Sequence, residues 1–285
     1  MTTVYIGTSA FAMAVLAASG LQPALVVTRP PAPRGRGRRL AASPVAAGAR
    51  AAGLEVREPD RLDDVAEEIA QLRPEVVCLC AYGALVREPL LSRHEILNVH
   101  PSLLPRWRGA APIERAIMAG DTRTGVSIMR LVAALDAGPV CDRVAVAIEP
   151  LDDYGTLSER LASLAGPLLA QAVSGPRAYV EQDAEGVTYA QKLTAADRVL
   201  DPGRPAAELE RTVRALHPHI GARLADGLGV LAARVAEAKM PAGELAIRDG
   251  RLYLGAHAGA LELLRVKPPG RRAMDAAAYV RGHAV

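Results

Sequence analysis

The chain of 285 residues reads as an α/β protein: an open, doubly wound, mostly parallel sheet followed by a small β-barrel. Three observations predict this. Short apolar strands alternate with amphipathic helices from Val4 to His100. One of those strands, EVVCLCA, is apolar on both faces, as strands are when helices cover a parallel sheet on each side. Beyond Ile220, short strand-like pieces recur between glycines, which is the spacing of a small barrel.

In order along the chain, Val4–Gly7 is the first strand. Thr8 and Ser9 lead into a helix from Ala10 to Ser19, and Gly20 ends it. Pro23–Thr28 is the second strand. The segment RPPAPRGRGRRL, Arg29 to Leu40, is too broken by proline and glycine to start as a helix. Ser43–Gly53 has an N-cap Ser, a Pro in its first turn and a closing Gly, so it reads as a helix. Asp60–Leu72 predicts another, with Leu62, Val65, Ile69 and Leu72 on one stripe. Glu75–Ala81 and Glu95–His100 are the next strands, and Ala111–Asp121 is a helix. Thr124–Val132 and Pro139–Ile148 predict paired strands around the tight loop Ala133–Gly138. Asp152–Val173 is a long helix. After Glu181 the texture turns polar and aperiodic, so 183–205 reads as a linker between a domain over 1–182 and a second over 206–285. The second opens with a helix, Ala206–Pro218.

Half of the residues are apolar while aromatics are scarce, so the cores must rest on Leu, Val, Ile and Ala. Net charge is +3, too mild to imply nucleic acid by itself. Five of the arginines, however, crowd into Arg29–Arg39 without one acid. A solvated charged loop and a mobile arm tracking phosphates both fit that run. The three cysteines, Cys78, Cys80 and Cys141, are odd in number, and two lie in an apolar strand. Buried reduced thiols are expected, and with them a cytoplasmic protein. The histidines show no metal-ligand spacing, so no metal is expected. No apolar run reaches the ~20 residues a bilayer requires, and the N-terminus lacks a signal-peptide pattern. GTSAF, Gly7–Phe11, lacks the glycine spacing of a dinucleotide loop.

The stretch NVHPSLLPRWRGAAP, Asn98 to Pro112, joins a strand to a helix start. Asn98 and His100 are two residues apart at the end of a strand, so their side chains share a face. Ligands of such sheets sit beyond the strands' carboxyl ends. An Asn amide can donate to an oxygen that gains negative charge, and a His can orient and exchange a proton near neutral pH. Asp136, on a glycine-flanked turn, can hold the His or accept a proton. No convincing covalent nucleophile accompanies them, so direct transfer to an external nucleophile is the chemistry implied. On residue types alone a structural reading stands beside this one, with Asn98 capping the turn and Asp136 forming another. Pro101 and Pro105 stiffen the loop, and Arg106, Trp107 and Arg108 either face a flat heterocycle or cover the core.

With these residues in view, the chain resembles the methionyl-tRNA formyltransferases. The resemblance runs through GTSAFA, RPPAPRGRGRRLAASPV, AYG at Ala81–Gly83, Asn98–Ile113, Ala119–Gly138 and VTYAQKLTAAD at Val187–Asp197. It implies a Rossmann-like formyltransferase domain, a linker and an OB-like C-terminal domain that binds tRNA. The reaction implied moves a formyl group from 10-formyltetrahydrofolate to methionine on initiator tRNA. Asn98 would bond the formyl oxygen, His100 would assist the oxyanion, and Asp136 would tune His100 and handle the proton. Ser102, Leu103, Leu104 and Pro105 match the folate-pocket loop, joined by Tyr82, Gly83, Asp136 and Gly138. Arg34, Arg36, Arg38 and Arg39 match a basic tRNA-contacting loop. A monomer without a membrane segment is expected. The sequence departs from the family at GTSAF, which lacks an acid, and at LDPGRP, Leu200–Pro205, which lacks an aromatic. The C-terminal region matches loosely, through KPPGRRAM, Lys267–Met274. Rival readings are another formyl-folate enzyme, such as a nucleotide-sugar formyltransferase or a hydrolase, and a non-catalytic folate- or RNA-binding protein.

Overall fold

The computed structural model describes residues 1–34, 37 and 39–282. In chain order the elements are β1 (Thr3–Gly7), α1 (Ala10–Ser19), β2 (Leu25–Val27), β3 (Ala32–Arg34), β4 (Arg39–Ala41), α2 (Pro44–Ala51), β5 (Val56–Arg57), α3 (Ala66–Leu72), β6 (Val76–Cys80), α4 (Leu90–Arg93), β7 (Ile96–His100), β8 (Arg108–Gly109) and α5 (Pro112–Ala119). They continue with β9 (Arg123–Arg130), β10 (Val140–Ala147), α6 (Tyr154–Ser174), β11 (Tyr189–Ala190), α7 (Ala206–Leu216), β12 (Ala222–Arg223), β13 (Gly229–Ala236), β14 (Leu245–Arg248), β15 (Arg251–Gly255), β16 (Ala260–Lys267), β17 (Met274–Asp275) and α8 (Ala276–Arg281). The chain divides into two units. One holds Met1–Pro112, Thr124–Ala147 and Ser158–Ala190; the other holds Ile113–Arg123, Ile148–Leu157 and the chain from Gln191 onward.

The first unit is built on a seven-stranded sheet in the order β10-β9-β7-β6-β1-β2-β5. From β5 through β2, β1 and β6 to β7 all neighbours are parallel, and β9 is antiparallel to β7. The chain moves outward from β1 to β5 and returns with β6 on the other side of β1. Strand order therefore reverses between β1 and β6, and a ligand crevice belongs at the carboxyl ends there. The five residues of β6 and the five of β7 are buried; β6, VVCLC, accordingly runs apolar without alternation, while β7 carries Asn98 and His100 toward its carboxyl end.

Local chemistry sets the helix starts. Ser9 caps α1 by accepting from the Ala12 amide at 3.1 Å, and Gly20 closes it with φ of 65°. Ser43 caps α2 through Ala46 at 2.9 Å while its hydroxyl also meets Thr28 Oγ1 at 2.7 Å, which ties the helix to the end of β2. The helix predicted over Asp60–Leu72 is broken. Leu62–Val65 is a 3₁₀ turn, and α3 begins only at Ala66. The Asp64 carboxylate accepts from the Arg61 amide at 3.1 Å, and that local closure competes with the α-helical start. The Arg/Pro/Gly segment folds as a hairpin in which Pro33 faces Leu40 and Arg34 faces Arg39. In α6, a Cβ at Gly166 would come within 2.5 Å of Ala18, so glycine lets α6 and α1 approach closely.

The second unit carries an antiparallel sheet, β12-β13-β16-β15-β14, with β17 pairing β16. Leu209, Val213 and Leu216 of α7 recur at helical spacing and pack with Val230, Leu254, Leu261 and Val266 into one core. A bulge near Ala232 shifts the register of β13 against β16, and such bulges increase the local coil of a sheet. Helix α7 ends at Leu216, and the HPH sequence, His217–His219, is a turn. Both of its imidazoles also meet carboxylates, His217 with Asp153 at 2.9 Å and His219 with Glu114 at 3.0 Å. Within the predicted linker, Tyr189–Ala190 pairs with β8, and Leu200 is buried in the second unit's core.

Candidate active site

The carboxyl ends of β6 and β7 open onto a cleft of about 220 Å3. Asn98, His100 and Asp136 all line it, with Tyr82, Gly83 and Gly109. Asn98 and His100 point the same way from β7, opposite Met129 and Ser127 of β9, and both are buried. Asp136 arrives from the loop after β9, with a φ of 46°. The sheet thus joins residues 38 positions apart.

The carboxylate of Asp136 is the hub. Its Oδ1 lies 3.4 Å from the Asn98 amide nitrogen, and its Oδ2 accepts the Gly109 N–H at 2.8 Å. The same Oδ2 lies 3.7 Å from His100 Nδ1. At the other ring nitrogen, His100 Nε2 meets the Trp107 carbonyl at 2.8 Å. A carbonyl only accepts, so Nε2 carries the hydrogen. Nδ1, facing Asp136, is then the nitrogen left to exchange a proton. Tyr82 is buried, and burial pushes its phenol above the usual tyrosine range, with Arg29 opposing. Arg29 donates to the Gly83 carbonyl at 3.3 Å, and Thr8 Oγ1 donates to that of Tyr82 at 3.0 Å. The turn after β6 is therefore tied to the ends of β1 and β2.

The SLLP loop lies directly after β7 and packs against its own neighbours. Ser102 is fully buried and donates from Oγ to the Arg106 carbonyl at 2.6 Å. Leu103 packs on Gly125, and Leu104 joins a small core with Met129 and Val140. Ser127 Oγ donates to the Ser102 carbonyl and accepts from the Leu104 amide. None of residues 102–108 lines the cleft. The Arg106 guanidinium stacks over the Trp107 ring at 4.4 Å, and Arg108 bonds Gln182. Gly138 also stays outside the cleft lining; a Cβ there would meet the Arg130 carbonyl at 1.8 Å, so it brings the Asp136 loop against β9. Of the basic loop, Arg36 and Arg38 lie outside the described residues, and Arg34 and Arg39 pair across the hairpin. Among the described residues no group of His, Cys, Asp and Glu could hold a metal ion, and no helix is long and apolar enough to cross a membrane.

Sequence reasoning missed several parts. Leu85 and Leu135, 68% and 53% exposed, line the cleft. Ala81 begins the turn after β6 with a φ of 41°. Gln182 donates to the carbonyls of Asp136 and Gly138, both at 2.8 Å. No periodicity or motif in EQDAEG announces it.

Comparison with known proteins agrees with this architecture. The formyl transferase family model matches residues 7–173, and the formyl transferase C-terminal domain model matches 192–284. Methionyl-tRNA formyltransferase of Halorhodospira halophila is 42% identical over 297 residues, spanning 98% of this chain and 95% of that protein. That of Phenylobacterium zucineum is 41% identical over 303 residues, spanning 100% and 98%. Among solved structures, an N-formyltransferase from Helicobacter canadensis in complex with folinic acid and dTDP-3-aminofucose superposes with a TM-score of 0.69 at 12% identity, covering 92% of this chain and 99% of that one. That likeness speaks to the fold. By sequence identity along its full length, the chain belongs to the methionyl-tRNA formyltransferases.

Proposed function

We propose that the protein transfers the formyl group of 10-formyltetrahydrofolate to the α-amino group of methionine on initiator tRNA, by direct attack of the amine. The observation that supports this most is the convergence of Asn98, His100 and Asp136 on one cleft. The co-substrate, when bound, supplies a formyl group activated on a ring-linked nitrogen. The cleft suits it: apolar walls from Leu79, Val86 and Leu131 accept a flat heterocycle, and the polar groups converge at one end. Tyr82, Gly83 and Asp136 would touch it directly. Ser102, Leu103, Leu104, Pro105 and Gly138, which the resemblance assigns to the folate pocket, complete it from the loops beside these walls.

The roles follow from the atoms. Asn98 turns one amide N–H toward Asp136 and keeps the other for the formyl oxygen as that oxygen gains charge. Asp136 accepts the proton of the attacking amine, shares it with His100 Nδ1, 3.7 Å away, and passes it to the folate nitrogen that departs as tetrahydrofolate when the C–N bond to the formyl carbon breaks. A proton on Nδ1 makes an imidazolium that stands beside both the carboxylate and the developing negative oxygen. Residues 1–182 carry this chemistry, 183–205 connect, and 206–285 bind tRNA in a monomer acting in the cytoplasm. Arg34, Arg36, Arg38 and Arg39 contact phosphates of the tRNA.

The test is mass spectrometry of methionine released from charged initiator tRNA after incubation with 10-formyltetrahydrofolate, with an amino sugar nucleotide in parallel. Formylmethionine is the result expected; a formylated sugar alone would remove the assignment. For the basic loop, Arg36→Ala should raise the KM for tRNA and leave that for the formyl donor unchanged. Binding should also weaken steeply with salt, and a flat salt response would return the loop to the solvent.

A further inference from the structure

A short segment outside the Asn98–Pro112 motif braces the site, and composition assigned nearly all of it to the linker. Gln182 uses its whole carboxamide there. Its Nε2 donates to the carbonyls of Asp136 and Gly138, each at 2.8 Å, and its Oε1 accepts from Arg108 Nε at 3.0 Å and Nη2 at 2.8 Å. The residue after Arg108 is Gly109, whose N–H donates to the Asp136 carboxylate at 2.8 Å. Further along, Thr188 Oγ1 accepts the Trp107 N–H at 2.9 Å, and the Trp107 carbonyl is the partner of His100 Nε2. Tyr189 and Ala190 then pair in parallel with Arg108 and Gly109. A Cβ at Gly109 would lie 2.7 Å from the Ala190 carbonyl oxygen, so glycine permits this approach.

Asp136 and Trp107 share a further property. Both have left-handed backbone, with φ of 46° and 65°. Side chains other than glycine hold such conformations only where the surroundings over-determine them. Gln182 grips the first through its own carbonyl, and Thr188 grips the second through its own amide.

We propose that Gln182 and Thr188 are positioning residues for formyl transfer: Gln182 sets the Asp136 carboxylate, and Thr188 sets the His100 ring through Trp107. The proposal rests on the assignment of Asn98, His100 and Asp136 to the chemistry.

Steady-state kinetics and thermal melting of Q182E, T188V and T188S, beside D136N, test it. Gln182→Glu keeps the acceptor toward Arg108 and removes the donor toward the Asp136 loop, so it separates bracing from positioning. Q182E should stay folded, with a lower melting temperature because two carbonyls lose their donor, and should lose about tenfold or more in kcat at a temperature where it is folded, with KM for both substrates within about threefold. T188V, similar in shape but without the acceptor, should lose kcat in the same way, and T188S should recover most of it. Parental kcat in Q182E and T188V beside an inactive D136N overturns the proposal and leaves the site assignment standing. A fully active D136N overturns the assignment, and the proposal with it. If Q182E does not fold, the threonine pair decides: equal loss in T188V and T188S, or lower melting with unchanged kcat in both, overturns the positioning role.

Discussion

Replacing Asp136 with Asn isolates the charge that faces His100. The carboxylate Oδ2 lies 3.7 Å from Nδ1, with the two side chains 12% and 5% exposed. For an imidazolium at that distance the attraction is about 1 kcal/mol in bulk water and about 4.5 kcal/mol at an effective dielectric near 20. The low exposure favours the larger figure, so the barrier should rise by about 3 to 4 kcal/mol, or two to three powers of ten in kcat. One ground-state contact also changes, because the new amide nitrogen faces the Asn98 amide that now donates to Oδ1 at 3.4 Å. Asn tolerates left-handed backbone as Asp does, so the φ of 46° costs no more. An Asn oxygen can still accept the Gly109 N–H now bonded at 2.8 Å. Binding contacts in the ground state persist, and KM should stay within about threefold. Initial rates over a range of formyl donor and charged tRNA, with a melting curve to establish folding, measure both quantities. A kcat within about threefold of the parent, in a folded variant, would refute the claim that this carboxylate pairs with charge created during the reaction.

Four other outcomes are expected. Asn98→Ala should cost about 2 to 4 kcal/mol in the barrier, as loss of an oxyanion donor does, so a normal turnover number would contradict its role. Glu95→Ala should lower stability by about 1 to 3 kcal/mol in urea titration, because Arg177, at 2.9 Å from Oε2, and the Tyr179 hydroxyl both lose their acceptor. Gly109→Ala should lower kcat and melting temperature together, since its Cβ would collide with the Ala190 carbonyl and its φ of 120° suits glycine. Burial pushes the thiols of Cys78 and Cys80 up to about 12; the folded state keeps protons that the unfolded chain releases above about 9, so this stabilisation is complete below that pH and falls as pH rises through it, which urea midpoints at rising pH would read.

What the sequence made legible was local. Asn98 and His100 are two residues apart on a strand, and period-two geometry alone puts them on one face. The caps at Ser9 and Ser43 set helix starts that a reader of sequence can place. The helix over Asp60–Leu72 was misjudged at its start because Asp64 closes on the Arg61 amide, a side-chain contact that competes with the apolar stripe. The SLLP residues are assigned to the folate pocket by resemblance alone, and their packing was not legible. Ser102 turns its hydroxyl to the Arg106 carbonyl, and Leu104 packs on Met129 and Val140, contacts between segments that no local pattern announces. Gln182 and Thr188 were illegible for another reason. Each acts on a backbone group of a residue more than 40 positions away, and no composition or spacing near either encodes that.

The strand ends themselves explain why so much support is needed. Ala81 follows β6, Trp107 lies in the loop after β7, and Asp136 lies in the loop after β9, and all three have positive φ. Each such residue costs on the order of 1 to 3 kcal/mol unless its surroundings compensate. A strand that continued in extended conformation would carry its backbone past the cleft. A left-handed residue turns it sharply, so that the Trp107 carbonyl meets His100 and the Asp136 carboxylate reaches the Gly109 amide. Glycine could make the same turns at lower cost, but it could supply no carboxylate at 136. The chain keeps the functional side chain in the unfavoured conformation and places the compensation elsewhere: Thr8 on the Tyr82 carbonyl, Thr188 on the Trp107 amide, Gln182 on the Asp136 carbonyl. Propensity and packing disagree at these three positions: Ala81 and Asp136 line the cleft, and Trp107 holds His100, which does.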